Sequence, residues 1–442
     1  MKNTENLITA IAVRGYKSIC NEQRMELKPL TILAGANSSG KSSIMQPVLL
    51  LKQTLENSFD PGVFRLNGPN VRLTSADQLL SKIQGKAETD SFSLRFERGE
   101  KKKVGLTYKK VEGEGFDIES MDFSDGKSNG HVTLNMPDEE IYKMLPEDFM
   151  SFPESFLEKG ELQWIVCRER CFLVFALAMK GAPDRRVQFG PMQLSPGSML
   201  VPEIEGIIHV PGLRGNPERT YTKTTSVGPN FPGTFENYTA SVVSQWQASD
   251  KASLEQLGVT LEDLGLTWKV DAKSVDDTRV ELRVGRLLHG RRGGAHDMVN
   301  MADVGFGLSQ VLPVLVALLV AQPGQLVYLE QPEIHLHPLA QRRLAGVLAA
   351  AAKRGIRVVL ETHSALLLRQ IQTLVAKGDL ATDLVKLHWF KRNPGDGITQ
   401  LFTADLDENG AFGEDWPEDF DEIHLTAEKD YLDAVEKRTD QA

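Results

Sequence analysis

Gly35-Ala36-Asn37-Ser38-Ser39-Gly40-Lys41-Ser42 follows an apolar run, Leu30-Thr31-Ile32-Leu33-Ala34, and precedes a stretch with helical periodicity. It matches the phosphate-loop pattern GxxxxGK[ST] in the context that pattern requires, strand before and helix after. Glycines let the backbone curl so that several N–H groups face one anion. The helix start adds a partial positive charge. In such a loop Lys41 reaches the β- and γ-phosphates and the Ser42 hydroxyl ligates Mg²⁺. Gly35, Asn37, Ser38, Ser39, Gly40, Lys41, Ser42 and Ser43 are therefore the candidate nucleotide-binding residues, with ATP and Mg²⁺ as the expected ligands.

Downstream of the loop, Ile44, Val48, Leu51 and Leu55 fall on one helical stripe. Pro47 interrupts this helix by removing a backbone donor and is expected to bend it. Upstream, residues 8–34 read as strands. Residues 70–135 read as antiparallel strands punctuated by glycine. From Asp138 to Met179, including the apolar CFLVFALAM, the expectation is helix, and residues 188–235 read as loops around short strands. Helices are expected from Asn237 and near Leu254–Leu264. The last third alternates: helix 307–321, strand 326–329, helix 339–353, strand 356–360, helix 364–376, then strands near 386–391 and 399–403. That alternation implies a parallel sheet.

The expected fold is thus α/β, a P-loop NTPase with a mixed sheet, an antiparallel β lobe and an α-rich insertion. We divide the chain into residues 1–110 (phosphate loop and β lobe), 111–280 (a projecting insertion), 281–405 (the second part of the nucleotide-binding domain) and 406–442 (an acidic C-terminal segment).

Leu326-Val327-Tyr328-Leu329-Glu330 is an apolar strand ending in a carboxylate, the arrangement that sets an acid beside the Mg²⁺ of a phosphate loop. Gln331-Pro332-Glu333 follows, adding an amide and a second acid, one of which must orient or deprotonate water if hydrolysis occurs. A second strand ends at Glu361-Thr362-His363-Ser364, where His363 is placed to meet a γ-phosphate. Between them, Gly305 and Gly307 precede a helix carrying Ser309 in its first turn, a second helix start suited to an anion. Glu330, Gln331, Glu333 and His363 are the candidate catalytic residues, Ser42 and Glu330 the metal ligands.

Composition bounds the rest. The chain has 442 residues, a formal charge of −10 and 41% hydrophobic residues, ordinary for a soluble protein. Three cysteines give no disulfide framework, which fits a cytoplasmic location. Cys167 and Cys171 are expected to pack in the core. The longest apolar stretch, Val311 to Ala321 with Pro313 inside it, falls short of the roughly 20 residues a bilayer span needs, so no membrane is expected as partner. The acidic balance does not favour duplex DNA, which selects for basic fields. Local basic groups (Lys101–Lys103 with Lys109 and Lys110, Lys180 with Arg185 and Arg186, Arg291 with Arg292) leave DNA open.

In order, these motifs resemble those of ABC-type ATPases of the SMC, Rad50 and RecF group. Gly35–Ser42 looks like Walker A, Val304–Gln310 like a degenerate signature motif, Leu326–Glu330 like Walker B and His363 like the switch histidine. EIHLHP (Glu333–Pro338) looks like the D-loop segment of the OLD-like branch. GANSSGKSS, VPGLRGNPERTY (Val210–Tyr221), VGFGLSQVLP, LEQPEIHLHP, LETHS and WPEDF (Trp416–Phe420) are similar to the AAA15/AAA21 ATPases with a DUF3696-like C-terminus. No Toprim nuclease is expected to follow. The resemblance implies a head-to-tail homodimer, or a higher oligomer, in which Ser309, Gly305 and Gly307 of one copy meet phosphates held by Lys41 of the other. It also implies defence against phage or DNA maintenance, with a separately encoded effector such as a nuclease.

One departure stands out. Many members of the group have an acid where this chain has Gln331, and an amide cannot accept a proton from water. Either Glu333 serves, or hydrolysis is slow, or the chain is an ATP-gated scaffold. A transporter motor subunit fits the degenerate signature and EIHLHP poorly. Arg214 and Arg219 could contact nucleotide, a partner or only surface acids.

Overall fold

A computed structural model describes residues 7–83, 89–113, 115–126, 129–145, 162–179, 182–186, 195–224, 228–289 and 297–413, together with 429 and 432. Its centre is a six-stranded sheet in the order β11 (Ile208–Val210), β16 (Leu326–Glu330), β17 (Arg357–Glu361), β3 (Leu30–Gly35), β18 (Val385–Arg392) and β19 (Thr399–Ala404). The first five strands run parallel and only β19 is antiparallel, closing a hairpin with β18. Buried on both faces, β3, β16 and β17 are near-continuous apolar runs rather than alternating ones.

Successive side chains point to opposite faces of a strand, and this splits the core in two. Ile32, Val327, Leu329, Val358 and Leu360 pack into one cluster with α4 (Thr239–Ser249), α5 (Lys251–Asp263), α6 (Phe306–Val320), α7 (Pro338–Lys353) and α8 (Ala365–Ala376). Leu33, Tyr328, Val359 and Phe390 face the other way, onto α1 (Lys41–Leu55) and the β lobe. Helix α1 runs through Pro47 without ending. That lobe is an antiparallel sheet, β2 (Gln23–Glu26), β1 (Ile8–Arg14), β4 (Ser91–Arg98), β5 (Lys102–Val111), β6 (Gly115–Ser124) and β7 (Asn129–Val132). A third antiparallel sheet joins β12 (Tyr221–Thr222), β13 (Val270–Ser274), β14 (Arg279–Gly285) and β15 (Met298–Asn300).

Two expectations need correction. Helix over 138–179 holds only for α2 (Asp138–Met144). Leu162–Glu169 and Phe172–Met179 are the antiparallel strands β8 and β9, with β10 (Ala182–Arg186) beside β9. The apolar run CFLVFALAM looked helical because every residue is apolar. It is instead a strand buried on both faces, and periodicity cannot separate the two cases. The described part of residues 138–186 is therefore mostly β. Residues 146–161, Lys180, Arg291 with Arg292, WPEDF and most of the acidic segment lie outside the described residues, as do the side chains of Arg185 and Arg186.

Nor do residues 111–280 project as one unit. After α3 (Val201–Glu205), β11 pairs with β16 inside the central sheet, and α4 and α5 pack into the core beside α6. Cys167 and Cys171 are buried in the β8–β9 hairpin. The lysines of β5 meet acids: Lys109 faces Asp90 and Glu119, Lys110 faces Asp77 and Lys103 faces Glu97. They form a charge-balanced strand face. Among the described residues no helix is long and apolar enough to cross a membrane.

Candidate functional site: a phosphate loop facing two strand ends

The loop between β3 and α1 is held in place by the far end of the chain. Gly35 has φ +143, and a Cβ there would sit 2.3 Å from the carbonyl oxygen of Phe390 on β18. Gly40 has φ +101, and its Cβ would meet Thr399 Oγ1 at 2.5 Å and Ser18 Oγ at 2.9 Å. Only glycine fits either position. Thr399 Oγ1 donates to the Ser39 carbonyl at 2.8 Å, fastening loop to hairpin. Helix α1 starts with no side-chain cap, so its first N–H groups remain available to an anion. Lys41 is nearly buried, and its Nζ donates to the carbonyls of Gly35 (3.0 Å) and Ala36 (2.7 Å). Burial lowers its ammonium pKa, while Glu361 and Glu333 pull the other way.

This loop opens on a cavity of about 650 Å³ lined by Asn37, Ser38, Ser39, Gly40, Lys41, Ser42 and Ser43, and closed opposite by Gln331, Glu361 and His363. Parallel strands end at one side of a sheet, which is why residues three hundred positions from the loop reach it. Gln331 sits at φ 45 just past β16 and donates its N–H to the Glu361 carbonyl at 2.9 Å. His363 is half-buried. Burial, then the Lys41 charge, lower its pKa against the opposing Gly35 carbonyl. The imidazole is accordingly neutral near pH 7 and able to donate a hydrogen bond without carrying charge.

The predicted acids fall into different places. Glu330 does not line the cavity. Its Oε1 accepts from His209 Nε2 at 3.1 Å and its Oε2 from the Gly212 N–H at 3.0 Å. Burial would raise this carboxyl, but the His209 hydrogen bond, the Gly212 N–H and the Arg214 charge outweigh it and hold the pKa below the usual value. Asn70 Nδ2 donates to His209 Nδ1 at 3.0 Å, which leaves the proton on Nε2, facing Glu330. Glu333 is also off the cavity. Its Oε1 accepts from Thr362 Oγ1 (2.7 Å) and the His363 N–H (2.9 Å), and its buried Oε2 has no hydrogen-bond partner.

Glu361 was absent from the sequence-derived candidates, although it stands in the same LETHS segment as His363. It is 3% exposed, accepts from Ser42 Oγ at 2.9 Å on Oε2 and from the Tyr328 hydroxyl through a short contact on Oε1. Burial and the neighbouring Glu330 charge push its carboxyl up to about 7, against the pull of Tyr328, Ser42 and Lys41. His209 and Tyr328, stacked at 5.3 Å, were likewise missed, since both sit inside apolar strands and read as core.

Gly305, Gly307 and Ser309 lie elsewhere. None lines the cavity. Helix α6 begins uncapped after Gly305, with Phe306 52% exposed, and Ser309 Oγ donates to the Phe306 carbonyl at 2.9 Å. A Cβ on Gly307 would come within 2.9 Å of the His335 carbonyl, so glycine permits the EIHLHP loop to lie against this helix. The two arginines separate: Arg219 forms an exposed pair with Asp303 at 2.8 Å, whereas Arg214 is buried. Arg214 donates to Gln310 Oε1 and to the carbonyls of Pro211, Glu330 and Gln331.

A phosphate loop on the first strand of a mostly parallel sheet, facing the ends of two further strands, defines an α/β fold of the P-loop NTPase class. Residues 245–369 match the model of a family described as "AAA domain, putative AbiEii toxin, Type IV TA system". A comparison with curated proteins found no match. Among solved structures, an SMC head bound to the C-terminal winged-helix domain of ScpA is 11% identical with a TM-score of 0.47, covering 91% of this chain and 98% of that one. The SMC head domain from Thermotoga maritima is 11% identical with a TM-score of 0.43, covering 90% and 98%. An SMC head with an extended coiled coil, bound to the C-terminal domain of ScpA derived from Pyrococcus furiosus, is 10% identical with a TM-score of 0.41, covering 90% and 96%.

Proposed function

We propose that this protein is an ATP-binding, slowly hydrolysing dimeric switch of the ABC type, cytoplasmic, with Mg²⁺ as its metal. The observation that carries this reading is the single cavity that gathers the phosphate loop, Gln331, Glu361 and His363. In it the loop N–H groups and Lys41 hold the β- and γ-phosphates. His363 donates to the γ-phosphate, and Gln331 orients water. Buried Glu333 fixes the His363 backbone rather than meeting water itself.

The donors present suit Mg²⁺. Ser42 offers a hydroxyl at the cavity and Glu361 a carboxylate beside it, and Glu330 adds negative charge from the adjacent strand end; hard oxygen donors are what this ion takes. Among the described residues no group of three or more His, Cys, Asp or Glu side chains could hold a metal, so the ion would draw its remaining ligands from phosphate and water. When bound, it supplies neutralising charge at the phosphates.

Ser309, with Gly305 and Gly307, would complete the site from a second copy in a homodimer or a higher oligomer. Since ATP then contacts both copies only when they meet, it has the differential affinity a switch needs. The matched family's description, a putative toxin of a type IV system, supports a role in defence. DNA maintenance, with a separate effector such as a nuclease and with DNA as a further partner, rests on motif resemblance.

A second reading, a non-hydrolysing ATP-gated scaffold, is favoured by Gln331, whose amide cannot take a proton. Lys41→Ala is expected to weaken ATP binding about 100-fold, the worth of a charge-assisted contact of roughly 3 kcal/mol; unchanged affinity contradicts the site. A several-fold rise in turnover in Gln331→Glu above a near-background wild type selects the scaffold.

A further inference from the structure

We propose that Glu361, on the central strand β17, is the carboxylate ligand of the divalent cation, and that Glu330 acts from behind it. The inference rests on the ATP reading above and deepens it by naming the metal-bearing side chain.

Three glutamates stand near the phosphate loop, and their oxygens are committed differently. Both oxygens of Glu330 are taken by groups away from the cavity, His209 Nε2 and the Gly212 N–H. Glu333 points at the Thr362 hydroxyl and the His363 N–H. Neither lines the cavity, whereas Glu361 does. It is oriented by the Tyr328 hydroxyl on one oxygen and offers the other to Ser42 Oγ at 2.9 Å. That separation has chemical meaning. Adjacent ligands of an octahedral ion with bonds of 2.0–2.1 Å lie about 2.9 Å apart. Ser42 Oγ and Glu361 Oε2 are thus spaced as two neighbouring corners of a Mg²⁺ shell.

Charge points the same way. Glu330 and Glu361 are direct partners in the β16–β17 register, so two largely buried carboxylates share one strand end. Two carboxylates so placed repel each other, and a cation beside them offsets that repulsion. The Lys41 ammonium, whose hydrogen bonds here go to the Gly35 and Ala36 carbonyls, offsets this charge only in part. A neutral Gln331 next in line then avoids a third negative charge at the site. The carboxylate that many relatives carry on one strand would here be divided, with the charge facing the cavity supplied by the neighbouring strand.

The test uses the full chain and Mn²⁺ as the probe, read by electron paramagnetic resonance with and without ATP, alongside ATP affinity measured in excess chelator. Glu361→Gln is expected to weaken Mn²⁺ binding to the ATP complex at least roughly 10- to 100-fold, the cost of perturbing a metal's surroundings. Its melting temperature should stay near wild type, and any change in its chelator-measured ATP affinity should be smaller than the loss of Mn²⁺ binding. Glu361→Asp, which keeps the charge but retracts it, should fall between. Glu330→Gln should lose less than Glu361→Gln. Wild-type Mn²⁺ affinity in Glu361→Gln, or a larger loss in Glu330→Gln, overturns the assignment. Should the wild-type chain bind ATP neither with Mn²⁺ nor in chelator, the ATP reading itself falls, an outcome distinct from either.

Discussion

Arg214 donates through Nε to Gln310 Oε1 at 3.3 Å, tying the turn after β11 to the first turn of α6. The same guanidinium reaches the carbonyls of Glu330 and Gln331. One side chain therefore spans the helix that carries Ser309 and the strand end that carries the candidate water-orienting amide. Arg214 thus links the two directly by hydrogen bonds.

Replacing Arg214 with alanine leaves several buried acceptors unmet. Hydrogen bonds from a charged donor are worth about 1.5–3 kcal/mol each, not additively, so a loss near 3 kcal/mol is expected. Arg214→Lys should recover little, because an ammonium lacks the planar fork that reaches several carbonyls. Urea midpoints of the two variants check this; a lysine variant as stable as wild type would assign the arginine no special geometry.

Gly35→Ala should abolish ATP binding and lower stability by about 3 kcal/mol or more, since the new methyl meets backbone that cannot rotate away. Gly40→Ala, whose methyl meets the Thr399 and Ser18 hydroxyls, should be partly restored by Thr399→Ala or Ser18→Ala. Isothermal titration and thermal melts of the single and double variants read both effects.

Ser309→Arg, at a helix start that does not line the chain's own cavity, should leave the ATP affinity of the single chain unchanged and prevent ATP-dependent dimers. Light-scattering mass with and without ATP decides. If the arginine variant still doubles its mass, the face around Phe306 is not the joining surface.

Stability should fall in mild acid through His388. Its Nε2–H donates to the Glu26 carbonyl at 2.8 Å, and its Nδ1 lies 3.0 Å from Thr403 Oγ1. Burial, with Lys386 and Arg24 nearby, lowers its pKa from 6.5 to about 4. The unfolded chain takes up this proton near pH 6.5 while the folded chain does not, so folding binds fewer protons. The contribution is full above pH 6.5 and is lost as pH falls toward 4, up to about 3 kcal/mol. Denaturant midpoints between pH 7.5 and 4.5 should show a slope that His388→Gln removes; equal slopes would place the acid sensitivity elsewhere.

Linear order was enough for the phosphate loop, because glycines, lysine and serine act within one short turn and the strand and helix that frame it are neighbours in the chain. It was enough for the alternation of strands and helices in the last third, which implies a parallel sheet, but not for the antiparallel β19 or the strand order. It misread β9, since a strand buried on both faces carries no alternation, and it set β11 outside the sheet it joins. Above all it could not rank the acids. Glu330, Glu333 and Glu361 each follow or end a buried strand and look equivalent in the chain. Which of them faces the cavity depends on strand register and on what else claims its oxygens: His209 and Gly212 for Glu330, Thr362 and His363 for Glu333, Ser42 for Glu361. Those partners come from chain positions far apart, and only packing brings them together.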